Sequence, residues 1–191
     1  MIEKKLLTDL QSDYRRNESE RRNIAAAANP ILFAAKKTIF TLQRNDYAEA
    51  ARKLSAIEQS LAQLEKDFGF ERLYREGSYK AAVEEYVEAK TFYDIIKNKK
   101  ILPIGKLSID HESYLGGVCD LIGELVRYAT NQAAAGRFNQ VAKIKTIADD
   151  IMAQLIDFDF TGYLRTKYDQ ARGHLRKLEQ MSYETKISRR K

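Results

Sequence analysis

Residues Tyr114–Leu125, with the sequence YLGGVCDLIGEL, are the most informative about structure. It contains no proline, and its apolar residues recur at helical spacing. This pattern predicts a helix that begins after the cap residue Asp110 and runs to about Ala135. Three glycines lie inside it, although each costs a helix about 0.8–1 kcal/mol relative to alanine. We therefore expect another helix or a ligand to approach this helix closely.

Two pairs of acids stand out on two predicted helices. Asp120 and Glu124 are four residues apart in the glycine-rich helix, and Glu85 and Glu88 are three apart in a helix predicted over Tyr79–Asn98. Each spacing places both acids of a pair on one side of its helix. Projection at about 100° per residue places Glu85 and Glu88 on an otherwise apolar face. Acids on a buried face must be protonated, paired or bound to a cation.

If the two faces meet, four carboxylates converge on one point, and hard oxygen ligands of this kind suit Mg²⁺ or Mn²⁺. Such an ion activates water and neutralises charge on a scissile phosphate. An alternative remains open, because each acid taken alone can form a structural ion pair, Glu124 with Arg127, and Glu88 with Lys90 or with a residue of a partner helix. Glu84, at the edge of the apolar face, is expected to face solvent.

Composition favours helices along the whole chain. The 191 residues include only two prolines, 44% are hydrophobic, and no strand pattern of useful length occurs. We therefore predict an all-α, single-domain bundle of six or seven helices over residues 1–191. Pro30 is expected to kink or interrupt the first helix. The single cysteine, the lack of a signal peptide and the lack of a membrane span indicate a cytoplasmic protein with no membrane partner.

The net charge of +6 and the pI near 9.2 favour an anionic partner such as nucleic acid. A basic shell around an acidic centre is the charge layout of a metal-dependent nuclease. A helical scaffold of tetratricopeptide type is a further alternative, although its repeat spacing is not kept. The basic residues that are candidates for holding a nucleic-acid backbone are Arg15, Arg16, Arg21, Arg22, Arg72, Arg75 and Lys80.

Four stretches resemble the translin family, and within it the branch of translin-associated factor X (Trax). The most specific is the glycine-rich helix. Together the four span most of the chain in the family's order. They are Lys37–Arg44 (KTIFTLQR), Glu85–Ala89 (EYVEA), Tyr114–Leu125, and Leu164–Asp169 (LRTKYD) with Lys177–Glu179 and Tyr183 beyond it.

The resemblance implies a seven-helix α fold and a ring- or barrel-like octamer that encloses RNA or single-stranded DNA. It implies that a Trax-like subunit is an Mg²⁺- or Mn²⁺-dependent endoribonuclease, which cleaves single-stranded or small structured RNA by metal-activated water. The catalytic and metal-binding acids carry over onto Glu85, Glu88, Asp120 and Glu124. Translin itself lacks the equivalents of Glu85 and Glu88, so their presence favours the catalytic branch.

Two departures from eukaryotic Trax are visible. The long insertion between the two acidic helices is reduced to about residues 99–109, and the basic amino-terminal extension is missing. Both indicate a compact prokaryotic, archaeal member that forms a homo-oligomer, with or without a separate translin-like partner subunit. The rival function is a non-catalytic, translin-like assembly that binds single-stranded DNA or RNA.

Overall fold

The computed structural model describes residues 2–105 and 107–188, and that part of the chain forms helices joined by turns and short loops, without a strand. This confirms the all-α prediction. A short 3₁₀ turn, Ile156–Phe158, follows the sixth helix. The α-helices are α1 (Lys4–Gln43), α2 (Tyr47–Phe68), α3 (Phe70–Leu73), α4 (Gly77–Asn98), α5 (His111–Ala134), α6 (Phe138–Leu155) and α7 (Gly162–Ser188).

Helix ends follow the cap residues in the sequence. The Asp46 carboxylate accepts the Glu49 backbone N–H at 3.1 Å at the start of α2, and Asp110 accepts that of Ser113 at 2.8 Å at the start of α5. Both bonds satisfy a donor that the first turn leaves free. After α5, Gly136 takes a φ of +73°, where a side chain would be strained. The acidic helix α5 therefore has the bounds that its sequence predicts, within a residue.

The centre of the molecule is formed by α4 and α5. Helix α4 packs against α1 and α5, α5 also packs against α6 and α7, and α2 packs against α1 and α4. Fully buried side chains on both central helices join these contacts into one core, among them Tyr86, Phe92, Leu121, Ile122 and Leu125. No helix in the described residues has an apolar stretch long enough to cross a lipid bilayer.

Helix α1 is continuous through Pro30, so the interruption expected there does not occur. Ile24, Ala28 and Ile31 recur on one face and are buried, which holds the helix against the core on both sides of the proline. At 1.5 Å per residue, α1 is roughly 60 Å long. Its first half, Lys4–Asn23, is almost wholly exposed. We call this segment the α1 arm.

Candidate metal centre

The glycines of α5 allow its backbone to lie directly on α4. A Cβ at Gly117 would lie 2.6 Å from the backbone oxygen of Glu84 and 2.8 Å from Cβ of Val87. A Cβ at Gly116 would overlap the Glu84 carboxylate. Gly123 faces α7, where a Cβ would lie 3.4 Å from Nε2 of His174. The expected close approach to another helix is therefore confirmed.

This contact brings the two acid pairs together. Glu88 is buried, with 9% of its surface exposed, and no described residue donates to its carboxylate. Burial raises the pKa of Glu88 to about 9, and the charges of Glu85, Asp120 and Glu124 add to that effect. Burial also raises the pKa of Glu85. The ammonium of Lys36, 4.0 Å from the Glu85 carboxylate, opposes this rise. The four carboxyl groups therefore form one electrostatic unit.

Asp120 is paired with a residue of α7. Its Oδ2 accepts a hydrogen bond from Nζ of Lys167 at 2.5 Å, and the same ammonium donates to Oε1 of Glu84 at 2.8 Å. The hydroxyl of Tyr163 donates to the Glu84 carboxylate, also at 2.8 Å. The expectation that Glu84 faces solvent is therefore wrong, because Lys167 and Tyr163 draw its side chain in between α4, α5 and α7.

Glu124 is held from α1 and from its own helix. Gln43 donates through Nε2 to Oε2 of Glu124 at 2.7 Å and to its backbone oxygen at 3.0 Å. The guanidinium of Arg127 lies 3.7 Å from the same carboxylate, so this alternative ion pair is present. The alternative pair between Glu88 and Lys90 is not formed, because Lys90 donates to Asp94 at 2.7 Å.

We call Glu84, Glu85, Glu88, Asp120 and Glu124 the acid cluster. Among the described residues it faces three basic groups, those of Lys36, Arg127 and Lys167. The acid cluster thus has more carboxyl groups than basic partners, and oxygen donors match the chemistry of Mg²⁺ or Mn²⁺. As the side chains stand, no three potential ligands in the described residues converge closely enough to hold an ion. Asp120 and Glu124 are turned toward Lys167 and Gln43 instead.

The predicted nucleic-acid-binding residues fall into two groups. Arg15, Arg22 and Arg75 are exposed, and no ion pair to them is found within the described part of the chain. The others are paired with acids. These pairs are Arg16 with Asp13 at 2.9 Å, Arg21 with Glu18 at 2.9 Å, Arg72 with Glu20 at 2.9 Å and Glu76 at 2.6 Å, and Lys80 with Glu112 at 2.5 Å.

Sequence reasoning missed four residues at this site, namely Lys36, Gln43, Tyr163 and Lys167. Each comes from a helix other than the two that carry the acid pairs. A signal existed, because Gln43 lies in the stretch KTIFTLQR and Lys167 in LRTKYD. The stretches that resemble the translin family therefore meet at the acid cluster.

Comparison with known proteins gives two curated relatives. The chain is 29% identical over 137 residues to an uncharacterized protein of Methanocaldococcus jannaschii, covering 70% of this chain and 61% of that protein. It is 31% identical over 81 residues to translin of Gallus gallus, covering 41% of this chain and 35% of that protein. The chain thus spans less than two thirds of the length of either relative.

Three solved structures have the same fold over nearly their full length. Apo-NeC3PO matches with a TM-score of 0.80 at 23% identity, covering 96% of this chain and 97% of that one. AfC3PO matches with a TM-score of 0.84 at 22% identity, covering 97% and 99%. AfC3PO in complex with duplex RNA matches with a TM-score of 0.83 at 22% identity, covering 96% and 97%. A comparison with protein families matches residues 19–189, and on that match the chain belongs to the translin family.

Proposed function

We propose that this chain is a Trax-like, metal-dependent endoribonuclease that cleaves single-stranded or small structured RNA. The observation that carries the proposal is the acid cluster, in which the carboxyl group of Glu88 is buried beside three others and accepts no hydrogen bond or ion pair from any described residue. An uncompensated buried acid is costly and is kept where it has a function. Assignment to the Trax-like branch, and an archaeal origin with it, rests on the resemblance, in which Glu85 and Glu88 are both present.

In this proposal Glu85, Glu88, Asp120 and Glu124 hold Mg²⁺ or Mn²⁺. The ion supplies a water molecule of lowered pKa and positive charge beside a phosphate. Glu88 is the buried anchor, because burial on α4 fixes its position. Lys36, on the neighbouring helix α1, is half-exposed beside Glu85 and is placed to attract the RNA backbone toward the cluster.

The proposal includes RNA binding by an oligomer, an octamer by the resemblance, located in the cytoplasm. It is supported by the duplex RNA bound to the structurally similar AfC3PO, by the net charge of +6, and by the exposed guanidinium groups of Arg15, Arg22 and Arg75. A homo-oligomer requires only this chain, and assembly with a translin-like partner subunit is the alternative. RNA is the first candidate ligand and single-stranded DNA the second.

A non-catalytic RNA- or DNA-binding assembly is the second candidate function. It is favoured by a specific observation, namely that Asp120 and Glu124 already have hydrogen-bond donors within the chain. In that case the acids hold α1, α4, α5 and α7 together. Nucleic acid would then bind equally well with and without a divalent ion.

Labelled single-stranded RNA incubated with Mg²⁺, with Mn²⁺ or with excess EDTA tests the proposal. Wild type should cleave only with a divalent ion. Glu124→Ala and the double variant Glu85→Ala/Glu88→Ala should lose cleavage by at least about 100-fold while keeping salt-sensitive RNA binding. Glu71→Ala, which changes an exposed acid on α3, is the matched control and should cleave normally. Cleavage in EDTA, or full activity of either cluster variant, would contradict the mechanism.

A further inference from the structure

Lys167 is a basic partner of the acid cluster to which the proposed metal centre gives no role. It projects from α7 between α4 and α5, and only 18% of its side chain is exposed. Its ammonium contacts Glu84 at 2.8 Å and Asp120 at 2.5 Å. The ammonium of Lys167 therefore stands where a metal ion coordinated by Asp120 would stand.

The contact of Lys167 with Glu84 is supported from a second direction. Tyr163, one helical turn earlier on α7, donates to both oxygens of the Glu84 carboxylate, and its ring lies 5.5 Å from Nζ of Lys167. The Glu84 side chain fills the space left by the missing side chain of Gly116. Lys167 thus has an anchor at Glu84 that does not depend on Asp120.

Asp120 has no comparable second partner among the described residues. Its hydrogen bond to Lys167 is therefore the bond that a competing cation would replace. Lys167 would lose one carboxylate in that exchange and keep the other, so the exchange does not leave the ammonium without a counter-charge. Glu85 and Glu88, on the facing helix α4, also interact electrostatically with both Lys167 and Asp120, so further carboxyl oxygens lie around the place of exchange.

We propose that the ammonium of Lys167 is a counter-cation that stays paired with Asp120 until a divalent ion displaces it. Lys167 thereby lowers the affinity of the chain for its metal. This inference rests on the proposed metal centre and adds to it a competitor supplied by the chain. The competition is direct at Asp120. It is also electrostatic, because a positive charge a few ångströms away repels a divalent ion.

Binding of Mn²⁺ to the RNA-free protein, followed by the paramagnetic resonance of free Mn²⁺, measures this competition without any activity. Lys167→Met removes the charge and should tighten Mn²⁺ binding by at least about tenfold. Lys167→Arg keeps the charge and should bind Mn²⁺ nearly as wild type does. Lys145→Met is the matched control, because Lys145 forms an equally short pair with Asp149, at 2.5 Å, on α6 outside the acid cluster.

Lys167→Gln provides a second neutral variant that retains a hydrogen-bond donor, in case the methionine variant does not fold by circular dichroism. Folded neutral variants that bind Mn²⁺ no more tightly than wild type would overturn the role of Lys167. If wild type binds Mn²⁺ in that case, the proposed metal centre is still supported. If neither wild type nor the neutral variants bind Mn²⁺ at millimolar concentration, the metal centre and this inference both fail.

Discussion

Among the single residues of the site, Glu88 is the acid whose ionisation burial opposes most strongly. Its carboxyl group is buried on α4, and the nearest charged groups are mainly other carboxylates. The folded chain therefore holds a proton there up to a pH of about 9, whereas the unfolded chain releases it near the ordinary pKa of 4.5. The free energy of unfolding must then fall as the pH rises through this interval.

Glu88→Gln should remove this pH dependence, because glutamine imitates the protonated acid in shape and in charge. We expect a stability near that of wild type at pH 5 and a gain of about 1–3 kcal/mol at pH 8.5, both in EDTA. Urea denaturation of both proteins at each pH measures the difference. Glu71→Gln, at an exposed acid, is the control and should show no such trend. A difference between Glu88→Gln and wild type that is constant with pH would contradict the assigned burial cost.

At the scale of helices, the contact between α4 and α5 depends on one backbone approach. At Gly117 the atom that an added Cβ would meet is a backbone oxygen of α4, which cannot move without shifting that helix. At Gly173 on α7 an added Cβ would meet nothing within 4 Å. Both glycines lie inside helices, but only at Gly117 does the packing require the absence of a side chain.

This difference predicts opposite effects of the same substitution. Gly117→Ala should lower the free energy of unfolding by about 1–3 kcal/mol, because overpacking forces the two central helices apart. Gly173→Ala should raise it by about 0.8–1 kcal/mol, the gain in helix propensity. Chemical denaturation of both variants provides the comparison. A harmless Gly117→Ala would mean that the helices have room to separate.

Much of this helical arrangement is predictable from sequence, for local reasons. The caps Asp46 and Asp110 act within one turn, so their effect can be read directly, and the glycines of α5 predict a close neighbour. The identity of that neighbour is a tertiary property. Glu84 is an example of a residue that the local sequence mispredicts. Its position on the helix predicts exposure, but α7 packs beside it and Lys167 of α7 pairs with its carboxylate. Gln43 was missed for the same reason, because it lies 81 residues from Glu124 along the chain.

At the scale of the whole molecule, the α1 arm extends beyond the bundle. Leu6 and Leu10 are 51% and 54% exposed, and with Tyr14 they lie within about 80° of one another around the helix. An apolar stripe that no other described residue covers is typical of an interface. The arm is therefore the part of the described chain best suited to join copies in the proposed oligomer.

Leu6→Ser/Leu10→Ser should dissociate the proposed oligomer at concentrations where wild type stays assembled. Each leucine that becomes buried in an interface contributes about 1.5–3 kcal/mol. Light scattering after size-exclusion chromatography measures the mass. The control Thr8→Ala/Ser12→Ala changes the opposite side of the same helix and should leave the mass unaltered. An unchanged mass for the leucine variant would remove the arm from the interface.

The continuity of α1 through Pro30 has a consequence for how its backbone opens. The arm is almost wholly exposed, and Arg72 joins it to the rest of the chain only near its end, at Glu20 and at the backbone oxygen of Asn17. The amide hydrogens that precede Asn17 should therefore exchange with solvent at the rate of an isolated, fraying helix. The buried half, Ile24–Gln43, can exchange only when the bundle itself opens. One uninterrupted helix thus contains two levels of protection. A partner surface that covers the arm should therefore slow the exchange of its amide hydrogens toward the rate of the buried half.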